Sequence, residues 1–432
     1  MQDQDNHSSG PAFSVSAVRT TEPGPAVGGL PAAPAYGRRS VAEVLGSAAA
    51  SIGVPGFENA LGLPQARRVC VVLADGLGRG LLKQKTAHTP FLRGIIQQGQ
   101  GAVPVWLDAA FPSTTAASLA SLGTGLAPGQ HGLVGYDVLD PAQDKVVNML
   151  GNWDAGVDPQ LWQPFPTVFE RASDHVAVTT VSLPQFGGSP MTQAALRGGS
   201  FVSGTTSHAR TAAAAEVMAD AESALMYFYV NDLDKAGHRY GAQSPQWEHQ
   251  LEELDATVKR LDATLPAGTT VLVTADHGML DVPESQRIDY SADPALVDGV
   301  RHTAGEPRMV HLYLEDDGTK GGDGDAARER LLAAWRARFG ERIWAFTREE
   351  AMAAGLFGTV RPEVTGRVGD VMVAARDALA FYDTRRVRPT AMEVVGQHGS
   401  LTKAEREVPL LAFQASGKTA SGKAAGRRGT RG

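Results

Sequence analysis

Four short apolar runs constrain this chain most: RVCVVLAD (68–75), VAVTTVSL (176–183), ALMYFYV (224–230) and TTVLVTAD (269–276). Each has strand length and is rich in β-branched or aromatic residues. None shows the strict polar alternation of a strand with one wet face. Helix-like stretches alternate with them. GRGLLKQKTAHTPFLRGIIQQG is helical in pattern and interrupted at Pro90, and SVAEVLGSAAASIG (40–53) reads as a short helix. SPQWEHQLEELDATVKRLDATL (244–265) places Leu251, Leu254, Val258 and Leu261 on one face. Buried strands alternating with helices imply an α/β fold with a mostly parallel central sheet flanked by helices.

The 432 residues suffice for one large or two ordinary domains. A single cysteine, Cys70, excludes an intrachain disulfide framework and any multi-cysteine metal site, and its apolar neighbours make it a core residue. No stretch has the roughly 18 apolar residues of a membrane span. The opening MQDQDNHSSGPAF lacks a basic segment followed by an apolar one, so a cytoplasmic location is expected. Residues 1–36 read as a flexible leader rich in Gly, Pro, Ala and Ser. Residues 37–413 read as one main domain, with a cap or insertion at about 284–388 and a strand returning to the core near 370–412. Residues 414–432 read as a basic, disordered tail carrying Lys418, Lys423, Arg427, Arg428 and Arg431. The net charge is −7, so the body before that tail is acidic, and no stable nucleic-acid partner is expected.

In an open α/β sheet, working groups stand just beyond the carboxyl ends of the strands. Asp75 ends the first run, and Asp276 with His277 ends the fourth. Asp234 and His238 follow the third in DLDKAGHRYG, and His398 stands between glycines in GQHGS. Each alone is compatible with a turn or a loop. Together, three carboxylates and three imidazoles suit zinc, manganese or iron, and six ligands suit two sites better than one tetrahedral site. The stretch FPSTTAASLASLGTG (111–125) adds Ser113, Thr114 and Thr115 where a helix begins. Such hydroxyls either cap the helix or present a nucleophile where the helix terminus attracts anions. No G-x-S-x-G elbow occurs, so a serine hydrolase has little support.

At these residues the chain resembles the alkaline phosphatase superfamily, and within it the nucleotide pyrophosphatase/phosphodiesterase branch. The resemblance runs from about residue 66 to 413, through VVLADGLG, FPSTTAASLASLGTGLAPGQHGLVGY, DLDKAGHRYG, TADHGM and GQHGSLT. It implies an alkaline-phosphatase-like core with a smaller inserted cap, and Thr115 as the nucleophile, with Ser113 the better capping residue. Asp75, Asp276 and His277 would hold one metal together with Thr115. Asp234, His238 and His398 would hold the other, the pair being zinc. Ser118, three positions past Thr115, is a candidate donor to a phosphate oxygen, and Lys235 and Arg308 are candidate substrate contacts. Trp106, Phe111, Tyr136 and Trp153 are candidates for stacking on a nucleobase. The implied reaction is hydrolysis of a phosphodiester or nucleotide pyrophosphate through a covalent phospho- or nucleotidyl-threonine. The alternatives are a phosphomonoesterase or phosphonoacetate-type hydrolase on the same centre, or a non-catalytic binding protein.

Overall fold

A computed structural model of the chain describes residues 29–99, 106–154, 156–315 and 324–417. The expected leader up to residue 28 and the basic tail from 418 onward lie outside the described residues. Residues 29–36 differ from expectation, because they are packed. Leu30 is buried, and the Ala35 N–H donates to Asp108 Oδ2 at 3.0 Å. Tyr36 Oη donates to Leu356 O and accepts from the Phe111 N–H.

The main sheet has seven strands. In spatial order they are Trp106–Asp108, Glu407–Gln414, Thr270–Thr274, Arg68–Ala74, Ala224–Val230, Ala177–Ser182 and Ser200–Ser203. The last five run parallel, and the first two add as an antiparallel edge. Every residue of Ala224–Val230 and Thr270–Thr274 is buried, as expected of strands covered on both faces. The helix Pro245–Thr264 begins where Ser244 Oγ accepts from the Trp247 N–H, and it buries Trp247, Leu251, Leu254, Val258 and Leu261. In register, Leu73 lies beside Thr274 and Ala74 beside Val230. Three adjacent parallel strands therefore end together, and the residues that follow them emerge at one edge of the sheet.

A second sheet is antiparallel, in the order Ile343–Thr347, Val371–Ala375, Met309–Leu314, Val300–Glu306, Asp137–Asp140 and Lys145–Asn148. The 284–388 stretch supplies four of these strands, but the hairpin of 137–148 completes the sheet from a distant part of the chain. The strands alternate between two cores. Met309, Met372 and Ala374 join the main core, whereas Val310, Leu312, Leu314, Val371 and Val373 pack with Leu331, Leu332, Trp335 and Phe339 of the helix Gly324–Phe339. No described helix is long and apolar enough to cross a membrane.

Candidate active site

The common edge of the three central strands gathers the acidic residues. Asp75 follows Ala74, Asp276 stands two residues past Thr274, and Asp234 lies in the first turn of the helix Asp232–Tyr240 after Val230. The turn after Asp75 brings them close. Gly76 has φ of +76°, and a Cβ there would lie 3.2 Å from Asp234 Cα, so glycine is required. The N–H groups of Gly76 and His277 both donate to Asp276 Oδ1, and Tyr229 Oη donates to Asp75 Oδ2. Three other oxygens, Asp75 Oδ1, Asp276 Oδ2 and Asp234 Oδ1, are buried without a hydrogen-bond partner. Burial, followed by the charges of Asp276 and Asp234, pushes the Asp75 carboxyl well above the usual range. Burial also opposes the Asp234 carboxylate, but the charge and hydrogen bond of His238, with His398 and His277, hold it low.

The three histidines share one orientation. Nδ1 of His277 lies 2.9 Å from Gly278 O, that of His238 2.8 Å from Gly396 O, and that of His398 2.9 Å from Ser113 O. A carbonyl can only accept, so each Nδ1 carries a proton and Nε2 is the nitrogen left to ligate a cation when the ring is neutral. Burial disfavours the charged His238 ring, but the charge and hydrogen bond of Asp234 outweigh it, and the His238 pKa is raised to about 9. His277 Nε2 lies 3.5 Å from both Asp75 Oδ1 and Asp276 Oδ2, and His238 Nε2 lies 3.3 Å from Asp234 Oδ2. The rings of His277 and His398 stack with centroids 3.5 Å apart. Burial and then the neighbouring imidazoles drive the His398 pKa well down, which favours the neutral ring. Ligand atoms of Asp75, Asp276 and His277 lie within 4.8 Å of one another, as do those of Asp234, His277 and His398. Orphaned carboxylate oxygens facing imidazole lone pairs are the donor set of a divalent-cation centre, and the residues present fit one.

Thr115 is the first residue of the helix Thr115–Thr124, whose ten residues are all buried. Its Oγ1 lies 3.0 Å from His277 Nε2. No side chain caps this helix, contrary to the capping role expected of Ser113. Ser113 Oγ instead donates to Ser400 O at 2.7 Å, and the Ser113 N–H donates to Gly399 O, tying the Thr115 turn to the His398 loop. The first-turn N–H groups are thus left unclaimed by side chains.

Other expected contacts lie elsewhere. Arg308 is fully buried, and its Nε and Nη2 grip the Glu405 carboxylate at 2.7 and 2.9 Å. Its Nη1 donates to Asp377 O and Leu379 O. A guanidinium this deep needs a carboxylate, and Glu405, ninety-seven positions away, supplies it. Ser118 is fully buried, and its Oγ accepts from the Ala110 N–H, bracing the approach to the Phe111–Pro112 bond, which is cis. Lys235 is exposed. Among the four aromatic candidates only Tyr136 lines the large cavity beside the centre. Trp106 packs under Arg39, Phe111 against Phe357, and Trp153 against Trp162.

That cavity, of about 420 Å³, opens from His238 and His398 toward Tyr136, Tyr290, Phe381 and Tyr382. It also holds Glu306, which sequence reasoning missed, as it missed Tyr229 under Asp75. Glu306 had one signal, an acid set between Gly305 and Pro307. Burial, opposed by Thr114 and reinforced by the charges of Glu405 and Asp137, pushes its carboxyl up to about 8.

Fold and site together define a metal-dependent hydrolase of phosphoric esters. The family model for type I phosphodiesterase / nucleotide pyrophosphatase matches residues 69–401, and the chain belongs to that family. It is a phosphodiesterase/nucleotide pyrophosphatase-type enzyme of the alkaline phosphatase superfamily. The fold is similar to human ectonucleotide pyrophosphatase/phosphodiesterase 5, with TM-score 0.60 and 16% identity over 82% of this chain and 90% of that one. The murine protein gives TM-score 0.61 at 17% identity with the same coverage. An inactive form of the murine protein in complex with AMP gives 0.59 at 17%, again over 82% and 90%.

Proposed function

We propose that the protein hydrolyses phosphodiesters or nucleotide pyrophosphates with Thr115 as the nucleophile. One observation carries this reading: Thr115 Oγ1 stands 3.0 Å from His277 Nε2 at an uncapped helix N-terminus, beside three orphaned carboxylate oxygens. Asp75, Asp276 and His277, with Thr115, would hold one divalent cation, and Asp234, His238 and His398 the other, with zinc matching the mixed carboxylate and imidazole donors. Such cations, when bound, lower the pKa of a ligating hydroxyl and neutralise charge on phosphoryl oxygens.

The residues of the chain do the rest. Tyr229 and the Gly76 N–H orient the carboxylates, and the three backbone carbonyls on Nδ1 turn each Nε2 toward the acidic cluster as the ligating nitrogen. The first-turn N–H groups of the Thr115 helix would receive the non-bridging oxygens of the phosphoryl group. Thr115 Oγ would then bond to phosphorus while the opposite ester oxygen leaves, giving a phosphothreonine ester. Attack of water on that phosphorus would release the second product and restore the hydroxyl. The complex of a murine relative with AMP supports a nucleotide as one product or substrate part.

The test compares bis-p-nitrophenyl phosphate with p-nitrophenyl phosphate, with added zinc or manganese, for the wild type and Thr115→Ala. Faster diester cleavage that is abolished in Thr115→Ala is expected. Faster monoester cleavage would shift the substrate class, and full activity in Thr115→Ala would remove the nucleophile assignment.

A further inference from the structure

The reaction outlined above leaves Glu306 unused, yet its environment is the least satisfied in the cavity. The residue is 7% exposed, and neither carboxyl oxygen has a hydrogen-bond partner. The Thr114 hydroxyl is close enough to act on the Glu306 carboxyl, but it too is unpartnered, so the two do not form a sound hydrogen bond. Glu306 also packs tightly on the His398 loop: a Cβ on Gly399 would fall 2.5 Å from Glu306 Cγ. The carboxyl is thereby held at the junction between the histidine end of the cavity and its aromatic walls.

No cation among the described residues compensates it. Arg386, which also lines the cavity, donates to Asp137 Oδ2 at 3.0 Å and to Thr303 Oγ1. An uncompensated buried carboxyl is costly, and a ligand donor removes that cost on binding. Asp137 and Asp383 already engage the Arg386 and Arg385 guanidiniums, so neither guanidinium is free to receive a second phosphate in this cavity, whereas a ring would meet Tyr136, Tyr290, Phe381 and Tyr382.

We propose that Glu306 is the specificity-determining residue of this cavity, accepting a hydrogen bond from a ring N–H donor on the ring-bearing ester group of a phosphodiester. The organic ester group, not a further phosphate, occupies the space. In either protonation state the carboxyl offers an acceptor oxygen. The inference rests on the phosphodiesterase reading and adds to it the chemistry that the substrate's organic group must carry.

The test uses the full-length, metal-supplemented enzyme and two chromogenic diesters that both carry a ring. The p-nitrophenyl ester of thymidine 5′-monophosphate has a ring N3–H donor, and bis-p-nitrophenyl phosphate has no donor. The ratio of their kcat/KM values is expected to fall about tenfold in Glu306→Leu and less in Glu306→Gln, which keeps an acceptor oxygen. With the unsubstituted enzyme, N3-methylation of the thymine ring is expected to slow cleavage about tenfold, a measurement independent of whether any variant folds. An unchanged ratio in the folded variants, a proportionate fall for both diesters, or equal rates with and without the N3-methyl group would each overturn the proposal. Failure of the wild type to cleave either diester would overturn both it and the reading it rests on.

Discussion

Arg308→Met tests the brace behind the His398 loop. Both Arg308 and Glu405 are fully buried, and their side chains meet through two parallel hydrogen bonds of 2.7 and 2.9 Å. Glu405 also accepts from the Ser400 N–H and from Thr402 Oγ1, so the pair fixes the segment directly after His398. Removing the guanidinium leaves an uncompensated carboxylate in the core and strips donors from Asp377 O and Leu379 O. Breaking a buried pair from one side costs about 3–5 kcal/mol, a large fraction of the roughly 5–15 kcal/mol that holds a typical protein folded. Urea unfolding of Arg308→Met should show a loss of that size. The double variant Arg308→Met/Glu405→Gln should recover part of it, because the stranded charge is gone. Arg308→Lys should fall between, since an ammonium cannot reproduce the two-point grip. A loss below about 1 kcal/mol, or a double variant as unstable as the sum of both single ones, would refute this account.

Thr115→Ala should lower kcat/KM for a diester on the order of 10³-fold or more, while leaving the folded state intact by circular dichroism. Tyr229→Phe removes the donor to Asp75 and should weaken zinc binding about 10–100-fold by competitive chelator titration. Adding zinc at about 100 times its Kd should stabilise the protein by about 2.7 kcal/mol in thermal unfolding, and a chelator should reverse this. Glu306 contributes a pH dependence of its own. Its pKa is raised to about 8 from an ordinary 4.5, so its contribution is intact below about pH 4.5 and lost as pH rises through 8. Between pH 6 and pH 9 the wild type should therefore lose roughly 2–3 kcal/mol more than Glu306→Gln, and parallel stability profiles would exclude it.

Much of the architecture was legible in the residues themselves. The runs at 68–75, 176–183, 224–230 and 269–276 became parallel strands of the main sheet. Strands buried on both faces must be apolar throughout, and polar residues can then appear only where they end. Asp75, Asp234 and Asp276 converge for that reason: parallel neighbours finish at one edge, so residues far apart in sequence share one locale. Only the tertiary structure decided matters that depend on distant partners. On sequence alone Arg308 is a candidate substrate contact, and only the fold shows Glu405 beside it; Ser113 is likewise a candidate cap until Ser400 O claims its hydroxyl. Glu306 reached the cavity because the second sheet draws in the hairpin of 137–148, a pairing that local periodicity does not encode. Periodicity reports which face of an element is buried. It does not report which charge is buried opposite which, because that is set by how the sheets pack.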